Sequence, residues 1–424
     1  MSSITLQAET GRRTGFAGAI GSLLEWYDFT VYGFLAPILG KLFFPSDDPT
    51  ASLLAAFGVF AIGYAARPIG GAIFGHVGDR FGRKPAMIIS AVMMGLATLG
   101  IGFLPDHTQI GTAATFLLVA LRIVQGLSVG GEFTGTIVML AEQAPADRRG
   151  FVASWAEMGG IVGMILGSAV GALVSSVLGS AEMHAWGWRI PFLLGAVIAV
   201  FGVVLRRHIT ESPVLLQAAR EAASPVLVAL RHHWRQILQM VVLLLMQAVG
   251  FYMVFIYAAS YLTEQMHVST ARALDINTLS LVAMLVAAPA AAIASDRFGR
   301  KPILYFVMVA TGLLALPLWG LMHHQNFVVI LCGQMALGVV MGMAYGVTPA
   351  TMIEMLPAEV RCSGVAIGYN LCLGLFGGTT PLVATYLVTR TADDYAPAYY
   401  LILAALVSFI ALLGMTETAR KPLS

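Results

Sequence analysis

Long apolar stretches, separated by short polar connections, run through almost the whole chain. Since a helix needs about 20 apolar residues to cross the hydrocarbon core of a bilayer, each stretch of that length predicts one membrane-spanning helix. The sequence therefore predicts an all-α membrane protein with twelve transmembrane helices. The predicted spans are 16–40, 53–75, 86–104, 113–141, 151–179, 188–206, 236–263, 274–295, 303–322, 326–352, 363–389 and 396–415.

The longest polar stretch lies in the middle of the chain, between the sixth and seventh predicted spans. It divides the sequence into an N-terminal six-helix bundle at 1–206, a cytoplasmic linker at 207–235 and a C-terminal six-helix bundle at 236–424. No polar stretch is long enough to form a folded soluble domain beside the two bundles.

Composition and charge narrow the class of protein further. Hydrophobic residues make up 58% and charged residues 11% of the chain, whereas soluble domains hold roughly 45–50% and about 25%. Too few charges are present to cover a soluble surface, so most of the surface must face a lipid bilayer. A net charge of +2 provides no basic surface for nucleic acid. A soluble enzyme, a nucleic-acid binder and a disordered chain are therefore excluded.

Lysine and arginine are distributed unequally over the two sides of the predicted topology. With twelve spans both termini share one side, and that side carries eighteen of the 24 basic residues, whereas the other side carries four. Because basic loops remain on the cytoplasmic side, both termini are predicted to be cytoplasmic.

The two halves of the chain repeat each other. The heptapeptide D-R-F-G-R-K-P follows the second span at Asp79–Pro85 and recurs after the eighth span at Asp296–Pro302. A second segment, Arg122–Glu142, aligns without gaps with Gln334–Glu354. Since both copies of the heptapeptide face the cytoplasm, the halves are parallel repeats of six spans. Two such bundles predict a transporter that exposes a substrate site near the midplane to each side of the membrane in turn.

The repeated cytoplasmic loops combine an acidic residue at a helix end with a glycine turn and several basic residues. A carboxylate there can pair with arginine and with the positive N-terminus of another helix, so we predict ion pairs that hold the cytoplasmic side closed. We expect Arg149 and Arg361 to be partners of the glutamates in this group. The alternative is that the basic residues only anchor the helices at the membrane surface. The predicted gate residues are Gly75, Asp79, Arg80, Gly82, Arg83, Lys84, Glu142, Arg149, Asp296, Arg297, Arg300, Lys301, Glu354 and Arg361.

Ionisable residues inside a span are costly, so each of them is a candidate functional group. Glu25 and Asp28 are three residues apart in the first span and share one helix face. Two carboxylates close together in low dielectric tend to share one proton, so we predict that this pair couples transport to proton movement. The alternative is that they form a cytoplasm-proximal cap or an ion pair with Arg67 or Arg122.

Arg122 precedes glycines at the i+4 and i+8 positions of the fourth span, where another helix can pack closely. Its guanidinium would then point into the cavity between the bundles, where it can bind a carboxylate with two hydrogen bonds. Its counterpart in the second half is the neutral Gln334, so the site is asymmetric and favours an anionic or zwitterionic substrate. The alternative is a structural pair with a carboxylate inside the membrane.

Further acidic, polar and aromatic residues lie within the predicted spans. Glu132 and Glu157 are candidate proton carriers, and the alternative for each is a buried structural ion pair. Arg67 is a candidate substrate ligand, or else it compensates the charge of Glu25 or Asp28. The remaining candidate substrate contacts, for which helix packing is the alternative explanation, are Tyr27, Tyr32, Gln247, Tyr252, Tyr345, Tyr369 and Asn370.

Five segments carry a family resemblance. The loop at Gly75–Lys84 resembles the signature G-x-x-x-D-R-x-G-R-[KR] of the major facilitator superfamily. Finer features resemble the metabolite:proton symporter family, which includes proline/betaine, α-ketoglutarate, citrate and shikimate permeases of the bacterial inner (cytoplasmic) membrane. The resemblance covers essentially the whole chain and implies the major facilitator fold and the same membrane. The finer features are LLEWYDFTVYGF (Leu23–Phe34), ARPIGGAIFGH (Ala66–His76), QGLSVGGEFTG (Gln125–Gly135) and WGWRIPF (Trp186–Phe192).

The residues and the resemblance together predict a secondary active transporter and not an enzyme, a receptor or an ATP-driven pump. The expected activity is proton-coupled import of a small carboxylate-bearing metabolite, such as a di- or tricarboxylate or another organic acid. The alternative is proton symport of compatible solutes such as proline or glycine betaine. We expect a monomer that needs no metal or cofactor, because the proton gradient supplies the energy. The sequence ends shortly after Met415, without the coiled-coil tail of some osmosensing members of that family, so osmotic gating is not expected.

Overall fold

The structure is a computed structural model that describes residues 22–81, 83–129, 132–206 and 225–423, apart from the side chains at 75, 76, 78–81, 83, 132, 205, 206 and 225. Within these ranges the regular structure is helical, without strands. Ten of the described helices are long and apolar enough to span a membrane. Two shorter ones, at the beginning of the described chain and at Arg189–Arg206, complete the predicted twelve.

The twelve spans are labelled α1 to α12 in chain order, and several consist of two or three consecutive helical segments. They are 22–34 with Ala36–Phe43; Pro49–Ala65 with Arg67–Phe81; Arg83–Phe103; Thr112–Ser128 with Glu132–Gln143; Arg149–Glu182 with Met183–Gly187; Arg189–Arg206; Trp234–Phe251 with Tyr252–Tyr257 and Ala258–Glu264; Thr270–Phe298; Arg300–Leu321; Phe327–Glu354; Arg361–Cys372 with Leu373–Gly377 and Thr380–Thr391; and Ala396–Leu413.

The predicted and observed segment boundaries agree to within a few residues for most spans. The predicted first span begins at residue 16, outside the described residues, and so does most of the predicted linker at 207–235. The end of that linker forms a short helix, Pro225–His232, because its apolar residues pack against Ile237 and Val360 in the C-terminal bundle.

The two halves repeat the same helix packing. Gly126 of α4 lies against the carbonyl oxygen of Gly63 in α2, and its aligned counterpart Gly338 of α10 lies against the carbonyl oxygen of Ser280 in α8. A Cβ on Gly338 would lie 2.8 Å from that oxygen, so a larger residue would push the two helices apart. Equivalent glycines therefore bring equivalent helix pairs into contact, as the parallel repeat predicts.

The N- and C-terminal bundles meet mainly where α5 packs on α8 and where α2 packs on α11. Away from the repeated loops, Ser168 of α5 donates a hydrogen bond to the carbonyl oxygen of Leu274 in α8 at 3.1 Å. Near the middle, π-helical turns interrupt α7 at Tyr252–Tyr257 and α11 at Leu373–Gly377. Such turns shift the side-chain register of a helix and are frequent at functional sites.

Candidate functional site

A buried ion pair lies at the interface between the bundles. Arg67 of α2 donates a hydrogen bond to Glu25 of α1, with 2.7 Å between Nη2 and Oε1. Arg67 also donates through Nε to Oδ1 of Asn370 in α11 at 3.2 Å. Arg67 therefore joins two helices of the N-terminal bundle to one helix of the C-terminal bundle.

Aromatic rings from both bundles surround this ion pair. The guanidinium carbon of Arg67 lies 5.2 Å from the ring centre of Tyr64 and 6.0 Å from that of Trp26. Tyr64 in turn contacts Tyr252 of α7, with 5.2 Å between ring centres. Trp26 contacts Phe251 of α7 at 5.7 Å. Cations are attracted to the faces of such rings, so this arrangement suits positively charged groups.

Several polar atoms in this region are buried and have no hydrogen-bond partner among the described residues. Leaving a buried donor or acceptor unpaired costs about 1–3 kcal/mol per group, so their concentration in one place indicates a site for a polar ligand. The unpaired atoms are Trp26 Nε1, Arg67 Nη1, Glu157 Oε1 and Tyr369 Oη. We call the surrounding residues the central cluster: Glu25, Trp26, Tyr64, Arg67, Phe133, Glu157, Gln247, Phe251, Tyr252, Tyr345, Tyr369 and Asn370.

A second buried polar network lies within the N-terminal bundle. Arg122 donates to Gln125 at 2.9 Å, Gln125 donates to Thr98 at 2.8 Å, and Thr98 donates to Asp28 at 2.8 Å. The guanidinium carbon of Arg122 also lies 4.2 Å from the ring centre of Tyr32. This network therefore links Arg122 to Asp28 through two neutral side chains.

The structure does not bring Glu25 and Asp28 together as one proton-sharing pair. Glu25 pairs with Arg67, as one of the alternatives predicted, whereas Asp28 accepts from Thr98 inside the bundle. Residues three apart on a helix differ by about 60° in direction, and this angle lets the two carboxylates reach different neighbours.

Three of the other predicted substrate contacts have partners within the N-terminal bundle. Tyr27 donates to the carbonyl oxygen of Pro191 at 2.8 Å, and Tyr32 donates to that of Ala56 at 3.1 Å. The partners of Arg122 also belong to this bundle. These residues therefore support the N-terminal bundle, whereas Arg67 and the predicted residues of α7, α10 and α11 lie in the central cluster.

Arginines and glutamates join the bundles at the end that carries the repeated loops, which the sequence predicts to be cytoplasmic. Arg149 of α5 pairs with Glu354 of α10 at 2.9 Å, and Arg361 of α11 pairs with Glu142 of α4 at 2.6 Å. Both predicted partnerships are present, and each crosses from one bundle to the other. Arg300 of α9 adds a third contact to Glu354 at 3.1 Å.

Asp296, in the second copy of the repeated loop, binds the N-terminus of α5. Its carboxylate oxygens accept from the backbone N–H groups of Gly150 at 2.8 Å and Phe151 at 2.9 Å, and it pairs with Arg300 at 2.8 Å. Gly299 follows in the loop with φ of 104°, a conformation that favours glycine. The second loop therefore forms the predicted carboxylate contact with a helix N-terminus.

The remaining predicted gate residues do not join the two bundles through a contact that the structure describes, or they lie outside the described residues. Arg297 is exposed, and the ammonium group of Lys301 donates to the carbonyl oxygen of Met415. Lys84 is half-buried. The surroundings of Gly75, the side chains of Asp79, Arg80, Arg83 and Glu132, and all of Gly82 lie outside what the structure describes.

The segment after α12 contributes a carboxylate that the sequence reasoning missed. Burial raises the pKa of Glu417, but backbone N–H groups of Ala419, Arg300, Lys301 and Thr418 donate to it and together hold its pKa below the usual value. Glu417 thereby caps the N-terminus of α9, where the repeated loop ends. No spacing rule in the sequence relates it to that loop, which lies more than one hundred residues earlier.

Sequence searches match both halves of the chain to known families. Residues 14–233 match the family described as "Sugar (and other) transporter", and residues 255–423 match "Major Facilitator Superfamily". The glycine betaine/proline/ectoine/pipecolic acid transporter OusA of Dickeya dadantii is 36% identical over 97% of this chain and 84% of its own length. The proline/betaine transporter of Escherichia coli K12 is 36% identical over 97% of this chain and 85% of its length.

A solved structure shares the fold at low sequence identity. The proton:xylose symporter XylE bound to 6-bromo-6-deoxy-D-glucose superposes with a TM-score of 0.79 at 20% identity, over 98% of each chain.

Proposed function

This chain belongs to the major facilitator superfamily, in its metabolite:proton symporter family, and from that premise we propose that it imports a zwitterionic compatible solute of the proline or glycine betaine type together with protons. It is a membrane transporter of small molecules and not an enzyme. The relatives named for proline and betaine support this substrate class over the organic acid that the sequence alone favoured.

The observation that carries the proposal is the environment of Arg67. Its charge is already balanced by Glu25 at 2.7 Å, so the central cluster offers no surplus positive charge to hold a di- or tricarboxylate. Its Nη1 group nevertheless has no hydrogen-bond partner among the described residues and can donate to one carboxylate. Aromatic rings on both sides of the interface suit the cationic end of the same ligand.

The Asp28 network is the proposed proton site. Asp28 is 3% exposed, and a carboxylate at this depth exchanges a proton more easily than it carries a lasting charge. Phe29 connects it to the substrate region, because its ring centre lies 4.9 Å from the guanidinium carbon of Arg122 and 5.5 Å from that of Arg67. Protonation of Asp28 therefore changes the charge at the end of the network that holds Arg122. Because Phe29 lies between the two guanidinium groups, a shift of Arg122 would reach the Arg67 side of the interface.

Alternating access requires the contacts at the cytoplasmic side to break when the carrier opens inward. The Arg149–Glu354 and Arg361–Glu142 pairs each join the two bundles, and so does the contact of Asp296 with the N-terminus of α5. At the extracellular side, Lys41 and Glu264 form an exposed pair at 3.0 Å between the bundles. We assign the cytoplasmic contacts as the gate, since among the described residues they are more numerous than the single extracellular pair and Arg149–Glu354 is buried on both sides.

The test is uptake of radiolabelled glycine betaine and proline into proteoliposomes with an imposed pH gradient, acidic outside. We expect both solutes to accumulate, an uncoupler to abolish accumulation, and an excess of either solute to compete with the other. Citrate and α-ketoglutarate, which represent the organic acids, are tested as competitors. Competition by these acids with no competition by betaine or proline would overturn the proposed substrate, and accumulation that ignores the uncoupler would overturn proton coupling.

A further inference from the structure

We propose that Glu157 of α5 binds the ammonium centre of the substrate, while Arg67 binds its carboxylate. The inference rests on the proposed function, since it requires a substrate that carries both charges. It gives the central cluster two ends of opposite charge and makes Glu157 a determinant of substrate specificity.

Glu157 differs from the other fully buried carboxylates of the described chain. Glu25 is paired with Arg67, Asp28 accepts from Thr98 through Oδ2 while its Oδ1 has no partner in the described chain, and Asp296 accepts from Arg300 and two backbone N–H groups. Glu157 is 1% exposed, forms no salt bridge with the residues described, and leaves its Oε1 without a hydrogen-bond partner among them. Because a buried charge without a partner is strongly unfavourable, this carboxylate is suited to a cation supplied by a ligand.

The position of Glu157 on α5 directs it toward the central cluster. Gly160 lies three residues after Glu157, about 60° away around α5. A Cβ on Gly160 would lie 2.6 Å from Cδ1 of Trp26, so α5 packs directly against Trp26 within one turn of Glu157. From the opposite bundle, Tyr345 contacts Phe251 and Tyr369 contacts Phe133, and both of these phenylalanines contact Trp26.

The aromatic residues around Glu157 form a connected set. Phe133 lies 6.3 Å from Trp26 and 5.0 Å from Tyr369, measured between ring centres. Phe251 lies 5.7 Å from Trp26 and 5.5 Å from Tyr345. A quaternary ammonium has no N–H group to donate, so it is recognised by ring faces and by a nearby negative charge. A carboxylate among aromatic rings therefore matches a betaine, and the same carboxylate can accept hydrogen bonds from the ammonium of proline.

Trp26 connects the two charged ends of the site. Its ring centre lies 6.0 Å from the guanidinium carbon of Arg67, and it packs against α5 at Gly160, within one turn of Glu157. Arg67 Nη1 has no hydrogen-bond partner among the described residues. A small zwitterion lying along Trp26 would thus place its carboxylate at Arg67 and its ammonium at Glu157.

The experiment compares binding of glycine betaine with binding of 3,3-dimethylbutanoate, in which an uncharged carbon replaces the nitrogen. Affinities are measured by calorimetry on the purified full chain in detergent at a fixed neutral pH, so that proton-driven accumulation plays no part. Wild type is expected to prefer betaine. E157Q is expected to lose betaine affinity by about 10- to 100-fold while binding of 3,3-dimethylbutanoate, which lacks the ammonium, is retained or improved, and this removes the preference. E157D, which keeps the charge, is expected to retain part of it.

Thermal unfolding of each variant shows whether it is folded, and retained binding of 3,3-dimethylbutanoate shows that the Arg67 end is intact. If E157Q leaves the preference for betaine unchanged, the inference is overturned. This includes the case in which E157Q binds betaine normally but no longer accumulates it, because Glu157 would then carry protons and not bind the ammonium. If wild type binds citrate and neither betaine nor proline, the proposed function itself fails, and the inference fails with it.

Discussion

Removing the charge of Arg149 tests the assignment of the cytoplasmic gate. Arg149 donates through Nη1 to Glu354 at 2.9 Å and to the carbonyl oxygen of Lys421 at 3.2 Å. The Arg149 and Glu354 side chains are 4% and 2% exposed, so water screens this pair very little. Arg149→Gln keeps much of the side-chain volume and removes the charge, and it should therefore favour the inward-open state.

The size of the effect follows from the partners that remain. Breaking a buried pair costs about 3–5 kcal/mol when the other charge is left alone. Glu354 is not left alone, since Arg300 at 3.1 Å and the hydroxyl of Thr418 at 2.7 Å still contact it. We therefore expect a loss of about 2 kcal/mol from the closed state, which corresponds to a shift of roughly 30-fold toward the inward-open population.

The assay is a distance measurement by double electron–electron resonance. Spin labels are placed at Asp147 and Glu359, which are exposed and lie in predicted cytoplasmic loops of opposite bundles, after replacement of the three native cysteines. Arg149→Gln is expected to increase the fraction of long distances. Arg148→Gln is the matched control, because Arg148 is exposed and forms no ion pair within the described residues. Identical distance distributions for both variants and the parent would refute the assignment of Arg149 to the gate.

Three further predictions concern the proton site, helix packing and the C-terminal segment. Asp28→Asn is expected to abolish accumulation driven by a pH gradient while leaving exchange of labelled for unlabelled substrate intact; loss of both, or retention of both, would contradict the proton assignment. Gly160→Ala places a Cβ 2.6 Å from Cδ1 of Trp26, and this overpacking costs about 1–3 kcal/mol, so uptake should fall by about tenfold or more. Gly312→Ala, with no atom within 4 Å of the added Cβ, should leave uptake unchanged. The pKa of Glu417 is lowered in the folded state, so its contribution to stability is present above the ordinary glutamate range and is lost as the pH falls through the folded value. The difference in melting temperature between wild type and Glu417→Gln should therefore shrink on acidification, and a constant difference would contradict this.

The features of this fold that depend on local sequence were predictable. Apolar length defines each span, and the repeated D-R-F-G-R-K-P loops define the two halves. The pairing of Arg149 and Arg361 with glutamates was also predictable, because acidic and basic residues at cytoplasmic helix ends have few other partners.

The arrangement of the central cluster could not be predicted in the same way. The contact between Arg67 and Asn370 joins residues 303 positions apart, and it depends on how the bundles face each other. The divergence of Glu25 and Asp28 depends on which helices surround α1, information that a helical period does not contain. Trp26 stands between two candidates in the sequence, but an apolar aromatic residue in a span gives no sign that its indole N–H will be left unpaired.

The central claim is that a zwitterion binds between the bundles at Arg67. A cryo-EM structure of the full chain in the presence of saturating glycine betaine tests it most directly. We expect ligand density in contact with Arg67 and Trp26, with the ammonium directed toward α5. Density against Arg122 inside the N-terminal bundle, or a central cluster filled by citrate and not by betaine under matched conditions, would contradict it.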